Sequence, residues 1–126
     1  MARIAVTASN GVSVGPYSHA VVAEPFLYLS GQTPVDPATG RLNDGDIAAQ
    51  TRQCFANLSA VLAAADLDLD DVIKCNVYLR SMDDFTAMNA EYAAHFSEPY
   101  PARTTVAVAD LPLHARVEIE MVARLR

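Results

Sequence analysis

Two segments near the end of the chain hold the residue types with the most chemical capacity. "YPARTTVAVADL", Tyr100 to Leu111, places Arg103 just inside an otherwise apolar run, and "ARVEIEMVARLR" follows with Glu118 and Glu120. A guanidinium is a planar fork that grips a carboxylate through parallel hydrogen bonds, and a glutamate within reach of the bound group can move a proton. Residues i and i+2 of a strand share a face. Arg103 therefore points with Thr105, Ala107 and Ala109, and Glu118 with Arg116, Glu120, Val122 and Arg124. If the two strands pair antiparallel, Arg103 lies opposite or diagonal to Glu118 or Glu120. Two readings stand at this point. One is a cross-strand ion pair, worth about 0.2–1 kcal/mol when exposed. The other is an arginine that clamps a substrate carboxylate beside a glutamate acting as base or proton donor. The small side chains of Thr105 and Ala107 leave room for a ligand.

The rest of the chain must position those strands. Arg3 to Thr7 reads as a short strand, and "SHAVVAEPFLYLSGQ" as two strands meeting at a turn near Glu24-Pro25, with Pro25 suited to position i+1. Asp36-Pro37 opens a further turn in which Gly40 can take positive φ. From Ile47, the positions Thr51, Cys54, Phe55, Leu58, Val61, Leu62 and Ala65 recur at helical spacing, with Asp44 or Asp46 as the cap. "DVIKCNVYLRS" alternates as a strand, setting Ile73, Cys75, Val77 and Leu79 against Val72, Lys74, Asn76 and Tyr78. Ser81 and Asp84 open a second helix whose core stripe is Met82, Phe85, Met88, Tyr92 and Phe96. "PLHA" joins the last two strands. The order predicts one α+β domain over residues 1–126, a mixed sheet with both helices on one face. Apolar residues on both sides of the strands, such as Phe26 and Tyr28 opposite Leu27 and Leu29, predict a homo-oligomer that covers the other face.

A formal charge of −6 and a single lysine, Lys74, argue against a nucleic-acid partner, which needs clustered basic residues. No run approaches membrane-spanning length, and "MARIAVTASNG" lacks the long apolar stretch of a signal peptide, so a cytoplasmic address is expected. Cys54 and Cys75 have no CxxC spacing and read as buried free thiols. His19, His95 and His114 show no metal-ligand spacing, so no metal is expected.

"GPYSHAV", "LYLSGQTPVDPATG", "NVYLRSMDDFTAMNAEY", "PYPARTTV" and "LPLHARVEIEM" occur in that order across nearly the whole chain. Together they closely resemble the RidA family of enamine and imine deaminases. The resemblance implies a chorismate-mutase-like fold assembled as a homotrimer, with active sites in clefts between subunits. It implies hydrolysis of 2-imino acids such as 2-iminobutanoate and 2-iminopropanoate, or their enamines, to 2-keto acids and ammonia, with no cofactor or metal. The family's carboxylate-binding arginine falls on Arg103, its water-activating glutamate on Glu118 and its GPYS tyrosine on Tyr17. The backbone of Ser30 and Gly31 would border the pocket.

Two positions depart from the family pattern. Thr105 stands where many members carry cysteine, which leaves a hydroxyl for the substrate and no nucleophilic thiol there. His19 stands where glutamine is common, and reads either as a satisfied strand-end imidazole or as a proton carrier at the pocket edge. Asn89 reads as a residue of the subunit contact or as a helix-surface amide. Glu120 is expected to partner an arginine. Alternatives to the general deaminase are the same scaffold acting on a specialised pathway imine or aminoacrylate, and a non-catalytic module that binds a carboxylate metabolite.

Overall fold

The computed structural model describes residues 2–9 and 15–126. Among these described residues, eight strands and two α-helices follow one another as β1 (Ile4–Val6), β2 (Ala20–Ala23), β3 (Phe26–Gln32), β4 (Val35–Asp36), β5 (Arg41–Leu42), α1 (Ile47–Ala64), β6 (Val72–Leu79), α2 (Phe85–Ala93), β7 (Ala102–Ala107) and β8 (Val117–Arg124). Six of the strands form one mixed sheet in the order β1-β2-β3-β8-β6-β7, and β4 and β5 make a separate small ribbon. Only β6 and β7 run parallel, as the intervening α2 requires.

Local chemistry explains most boundaries. Asp46 caps α1, its carboxylate accepting from the Ala49 N–H at 2.9 Å. Gly40 takes φ +70° in the turn between β4 and β5, a conformation that costs other residues more. The β2–β3 turn differs from expectation. The Glu24–Pro25 peptide is cis and Ala23 pairs with Phe26, so Pro25 occupies i+2 rather than i+1. The second helix also starts later than its sequence signal. Ser81 caps a single 3-10 turn over Met82–Asp84, and α2 begins at Phe85. Asp84 makes no side-chain cap there; its carboxylate pairs with Arg116 at 3.2 Å.

Both helices pack on one face of the sheet. The core joins Phe55, Leu58 and Leu62 of α1 and Met88 and Tyr92 of α2 to Leu27, Leu29, Cys75, Val77, Leu79, Val117, Ile119 and Met121 of the strands. Phe55 anchors an aromatic group, stacked on His95 at 4.3 Å and edge-on to Tyr92 and Phe96. Met82 is the exception to the expected stripe. It sits in the 3-10 turn, where the helical period has not begun, and is 49% exposed. Ile73 is likewise exposed and Val72 buried, because the β6–β8 register shifts between Val72 and Lys74. Cys54 and Cys75 are both free and buried.

The opposite face of the sheet carries Tyr28, Val106 and Val122 beside the polar side chains of Lys74, Asn76, Tyr78, Thr104, Glu118 and Glu120. Its apolar character is weaker than the strand sequences suggest, because the central strands alternate.

Phe55→Ala removes the hub of the α1–α2 contact and should lower unfolding free energy by about 3–5 kcal/mol. Urea denaturation checks this. A loss below about 1 kcal/mol would mean that the aromatic group does not hold the helices together.

Candidate active site

The sheet order decides where the charged strand residues go. β7 and β8 do not pair, because β6 lies between them. The expected cross-strand meeting of Arg103 with Glu118 or Glu120 is therefore overturned. Arg103 aligns with buried Cys75 and turns to the helix face, where its guanidinium carbon lies 4.7 Å from the Tyr92 ring centre and 5.8 Å from that of Phe85. Glu118 aligns with Tyr78, and Glu120 with Asn76, on the open face. Within one protomer the two candidate groups occupy opposite sides of the sheet.

Each opens onto its own cleft. Arg103 shares one with Asn89, Tyr92, Ala93, Tyr100 and Pro101. The Oδ1 atom of Asn89 is buried there with no hydrogen-bond partner among the described residues. Glu118 shares the other, of about 390 Å³, with Tyr17, Ser30, Gly31, Thr33, Pro112 and Leu113. That volume lies within the range of about 300–1,000 Å³ usual for small-molecule sites.

The Glu118 cleft is built by a close backbone approach. The β3–β8 register shifts between Leu29 and Gln32, and Glu118 lies directly over Gly31. A Cβ on Gly31 would overlap Oε2 of Glu118 and come within 3.1 Å of its carboxyl carbon, so a larger residue here would push this carboxyl out of its place. The Ser30 hydroxyl is engaged, donating to the Ser18 carbonyl at 2.6 Å. Beside Glu118, Glu120 accepts hydrogen bonds from Asn76 Nδ2 at 2.9 Å and from the Tyr78 hydroxyl. Glu120 is therefore held by an amide and a phenol, not by the arginine expected from sequence. Its hydrogen bond, with burial, pushes the Tyr78 hydroxyl up to about 12, so the phenol remains a donor. Burial first, and then the charge of Glu120, raise the carboxyl of Glu118 above its ordinary 4.5. A carboxyl so placed takes and returns a proton more readily near neutrality than a surface glutamate.

The remaining sequence candidates divide. Tyr17, Ser30 and Gly31 line the Glu118 cleft, and Asn89 lines the Arg103 cleft. Thr105 lines neither, and its Oγ1 is enclosed without a partner among the described residues, so a ligand contact through that hydroxyl is not met within one protomer. His19 lines neither cleft. His19 is 3% exposed, its Nδ1 accepts from the Ala8 N–H at 3.0 Å, and its carbonyl accepts from Ser30 N at 2.9 Å. Its ring holds the segment just after β1, and its backbone carbonyl holds Ser30 of β3. Sequence reasoning missed Tyr92, Tyr100 and Pro101 beside Arg103, and Pro112 and Leu113 beside Glu118. The aromatic and proline crowding of "PYPAR" was a usable signal for the first group. Among the described residues, no three His, Cys, Asp or Glu side chains gather as a metal site requires, and no helix is long and apolar enough to cross a membrane.

Comparison with known proteins identifies the family. The family model described as Endoribonuclease L-PSP matches residues 7–125. The chain belongs to this family, the RidA family. A RutC family protein of Pyrococcus horikoshii is 46% identical over 123 residues, covering 98% of each chain. A 2-iminobutanoate/2-iminopropanoate deaminase of Capra hircus is 40% identical over 121 residues, covering 96% of this chain and 88% of that one. Among solved structures, RidA from an Antarctic Psychrobacter matches with a TM-score of 0.92 at 41% identity, over 98% of this chain and 100% of that one. The α+β fold with two helices and a mixed sheet is thus the RidA fold. RidA relatives near 40% identity include imine deaminases, while others carry only a family designation.

A carbon-detected titration of the side-chain carboxyls should find Glu118 titrating above 4.5, and Glu120→Gln should lower it by removing the neighbouring negative charge. The linkage has a definite sign. A raised carboxyl means that the folded state holds the proton more tightly, so this group costs stability as pH rises from about 4.5 through its folded pKa. Glu118→Gln should therefore unfold at the same temperature as wild type at low pH and at a higher one at pH 7. Equal midpoints at both pH values would remove the electrostatic account of this cleft.

Proposed function

We propose that the chain hydrolyses 2-imino acids, such as 2-iminobutanoate and 2-iminopropanoate, to 2-keto acids and ammonia at sites shared between the subunits of a homotrimer. In that assembly the Arg103 cleft of one subunit faces the Glu118 cleft of its neighbour. Glu118 carries the reading: a half-buried carboxyl with raised proton affinity, opening onto a small-molecule cleft, in a chain with imine-deaminase relatives.

The chemistry follows from the residue types. Arg103, stacked on Tyr92, offers its free edge to the substrate carboxylate and selects imines that carry one. Asn89 Oδ1, without a partner in the same cleft, can accept from the imine or enamine N–H. Water adds to C2 of the protonated imine, and the π pair of C=N moves to nitrogen. The Glu118 carboxylate takes the water proton. Protonated Glu118 then returns that proton to the amino group of the tetrahedral carbinolamine. The C–N bond breaks, a lone pair on oxygen forms the keto group, and ammonia leaves after the remaining hydroxyl proton is lost to water. Fixing substrate and water against one proton carrier replaces a bimolecular encounter in solution. Tyr17 at the cleft mouth closes one side of the bound substrate.

The word endoribonuclease in the family description does not fit the charge of this chain. Its net charge is −6, and Arg52, Arg116 and Arg126 are engaged by Glu91, Asp84, and Asp68 with Asp71. Phosphate binding needs clustered cations free to meet it.

The test is the decay of 2-iminobutanoate and 2-iminopropanoate, generated in situ by an amino-acid oxidase and followed by competition with semicarbazide. Wild type should speed imine loss. Arg103→Ala, confirmed to assemble, should lower kcat/KM by roughly 100-fold, as expected for losing a charge-assisted pair worth about 3 kcal/mol. No acceleration by assembled wild type with either imine would refute the general deaminase.

A further inference from the structure

We infer that Leu113 sets the substrate side-chain preference of this site, packing against a larger aliphatic or aromatic substituent so that it is favoured over the methyl and ethyl groups the site also admits, and disfavouring charged ones. The inference rests on the hydrolase reading above and names the substrate class within it.

Leu113 lies in the turn Pro112–His114 that leads into β8 and lines the Glu118 cleft. It adopts φ 58° and ψ 17°, and His114 follows at φ 57°. Two successive left-handed residues without glycine are uncommon, and each carries backbone strain. The turn is nonetheless tightly held. Arg80 Nη1 donates to the His114 carbonyl at 2.6 Å, Asp110 Oδ1 accepts from Leu111 N at 2.8 Å, and His114 Nδ1 meets the same oxygen at 3.1 Å. His114 N closes the turn on the Leu111 carbonyl at 3.0 Å. The outcome of this effort is a leucine that is 59% exposed. An exposed leucine in a strained conformation gains nothing from the core, so its placement points to something outside the protomer.

The cleft indicates what that is. With the carboxylate on Arg103 and C2 beside Glu118, the substituent on C2 is left to the wall formed by Leu113, Pro112 and Tyr17. The Ser30 hydroxyl is already committed to the Ser18 carbonyl. Among the described residues, the wall offers no cation and no carboxylate besides Glu118 itself. A charged substituent would lose water there and find no partner, whereas a branched aliphatic one would bury apolar surface.

The experiment measures kcat/KM for the imines of leucine and alanine, each generated by amino-acid oxidase, with wild type, Leu113→Gly and Leu113→Met. Wild type should prefer the leucine imine. Leu113→Gly should reduce the leucine-to-alanine ratio by about tenfold or more, the range expected when several methylene contacts are lost, and Leu113→Met should restore it. Glycine suits positive φ, so Leu113→Gly should also unfold at or above the wild-type temperature, which separates a lost contact from a damaged fold. Both imines turned over with a ratio that Leu113→Gly leaves unmoved would overturn this inference alone. The same unmoved ratio with weakened assembly on sedimentation would overturn it in favour of a subunit contact. Wild type that accelerates neither imine would overturn the hydrolase reading, and this inference with it.

Discussion

The insertion of β6 between β7 and β8 is the constraint on which the rest of the arrangement depends. Because β6 pairs parallel with β7 and antiparallel with β8, the last two strands of the chain cannot touch. Side-chain alternation then sends Arg103 to the helix face and Glu118 to the open face. Neither group can neutralise the other within one protomer. Arg103 is stabilised instead by aromatic faces, and among the described residues no cation pairs with Glu118. A chain that keeps a half-buried carboxyl apart from a counterion leaves both groups available to a ligand that carries a negative end and needs a proton moved at the other.

The Glu118 cleft shows how such an arrangement is maintained. Gly31 admits the carboxyl against the backbone of β3, and Glu120 is fixed alongside by Asn76 and Tyr78. Two carboxyls share one strand face: Glu120 accepts hydrogen bonds from Asn76 and Tyr78, and Glu118, part-buried beside that charge, is pushed toward its protonated form. That costs folding stability at neutral pH, and the core under α1 and α2 offsets it. The left-handed turn at Leu113 and His114 adds backbone strain beside this cleft, and Asp66 after α1 is the other described non-glycine residue at positive φ.

Much of this was legible in the sequence because it rests on periodicity. The α1 stripe from Ile47, the Asp46 cap, the positive φ of Gly40 and the buried free thiols all follow from spacing and residue type. The motifs around Tyr17, Ser30, Arg103 and Glu118 identified the RidA family. What escaped was non-local. Successive strands are usually neighbours, so "PLHA" read as a link between paired strands, and only the assembled sheet shows β6 between them. The bulge at Val72–Lys74 exchanged Ile73 for Val72 in the core, an effect no alternation rule contains. His19 sat beside the GPYS motif yet serves the backbone of Ala8. Leu113 was invisible because its importance lies in a conformation that leucine does not advertise.

The central claim is that each site draws Arg103 from one subunit and Glu118 from another, and subunit mixing tests it most directly. Arg103→Ala and Glu118→Gln proteins, each assembled and each nearly inactive, would be unfolded together, refolded as a mixture and assayed for imine hydrolysis. Shared sites in a cyclic trimer predict recovery of roughly a quarter of the wild-type rate, because random mixing rebuilds one intact site in each mixed trimer. No recovery from trimers verified to be mixed would contradict the shared site.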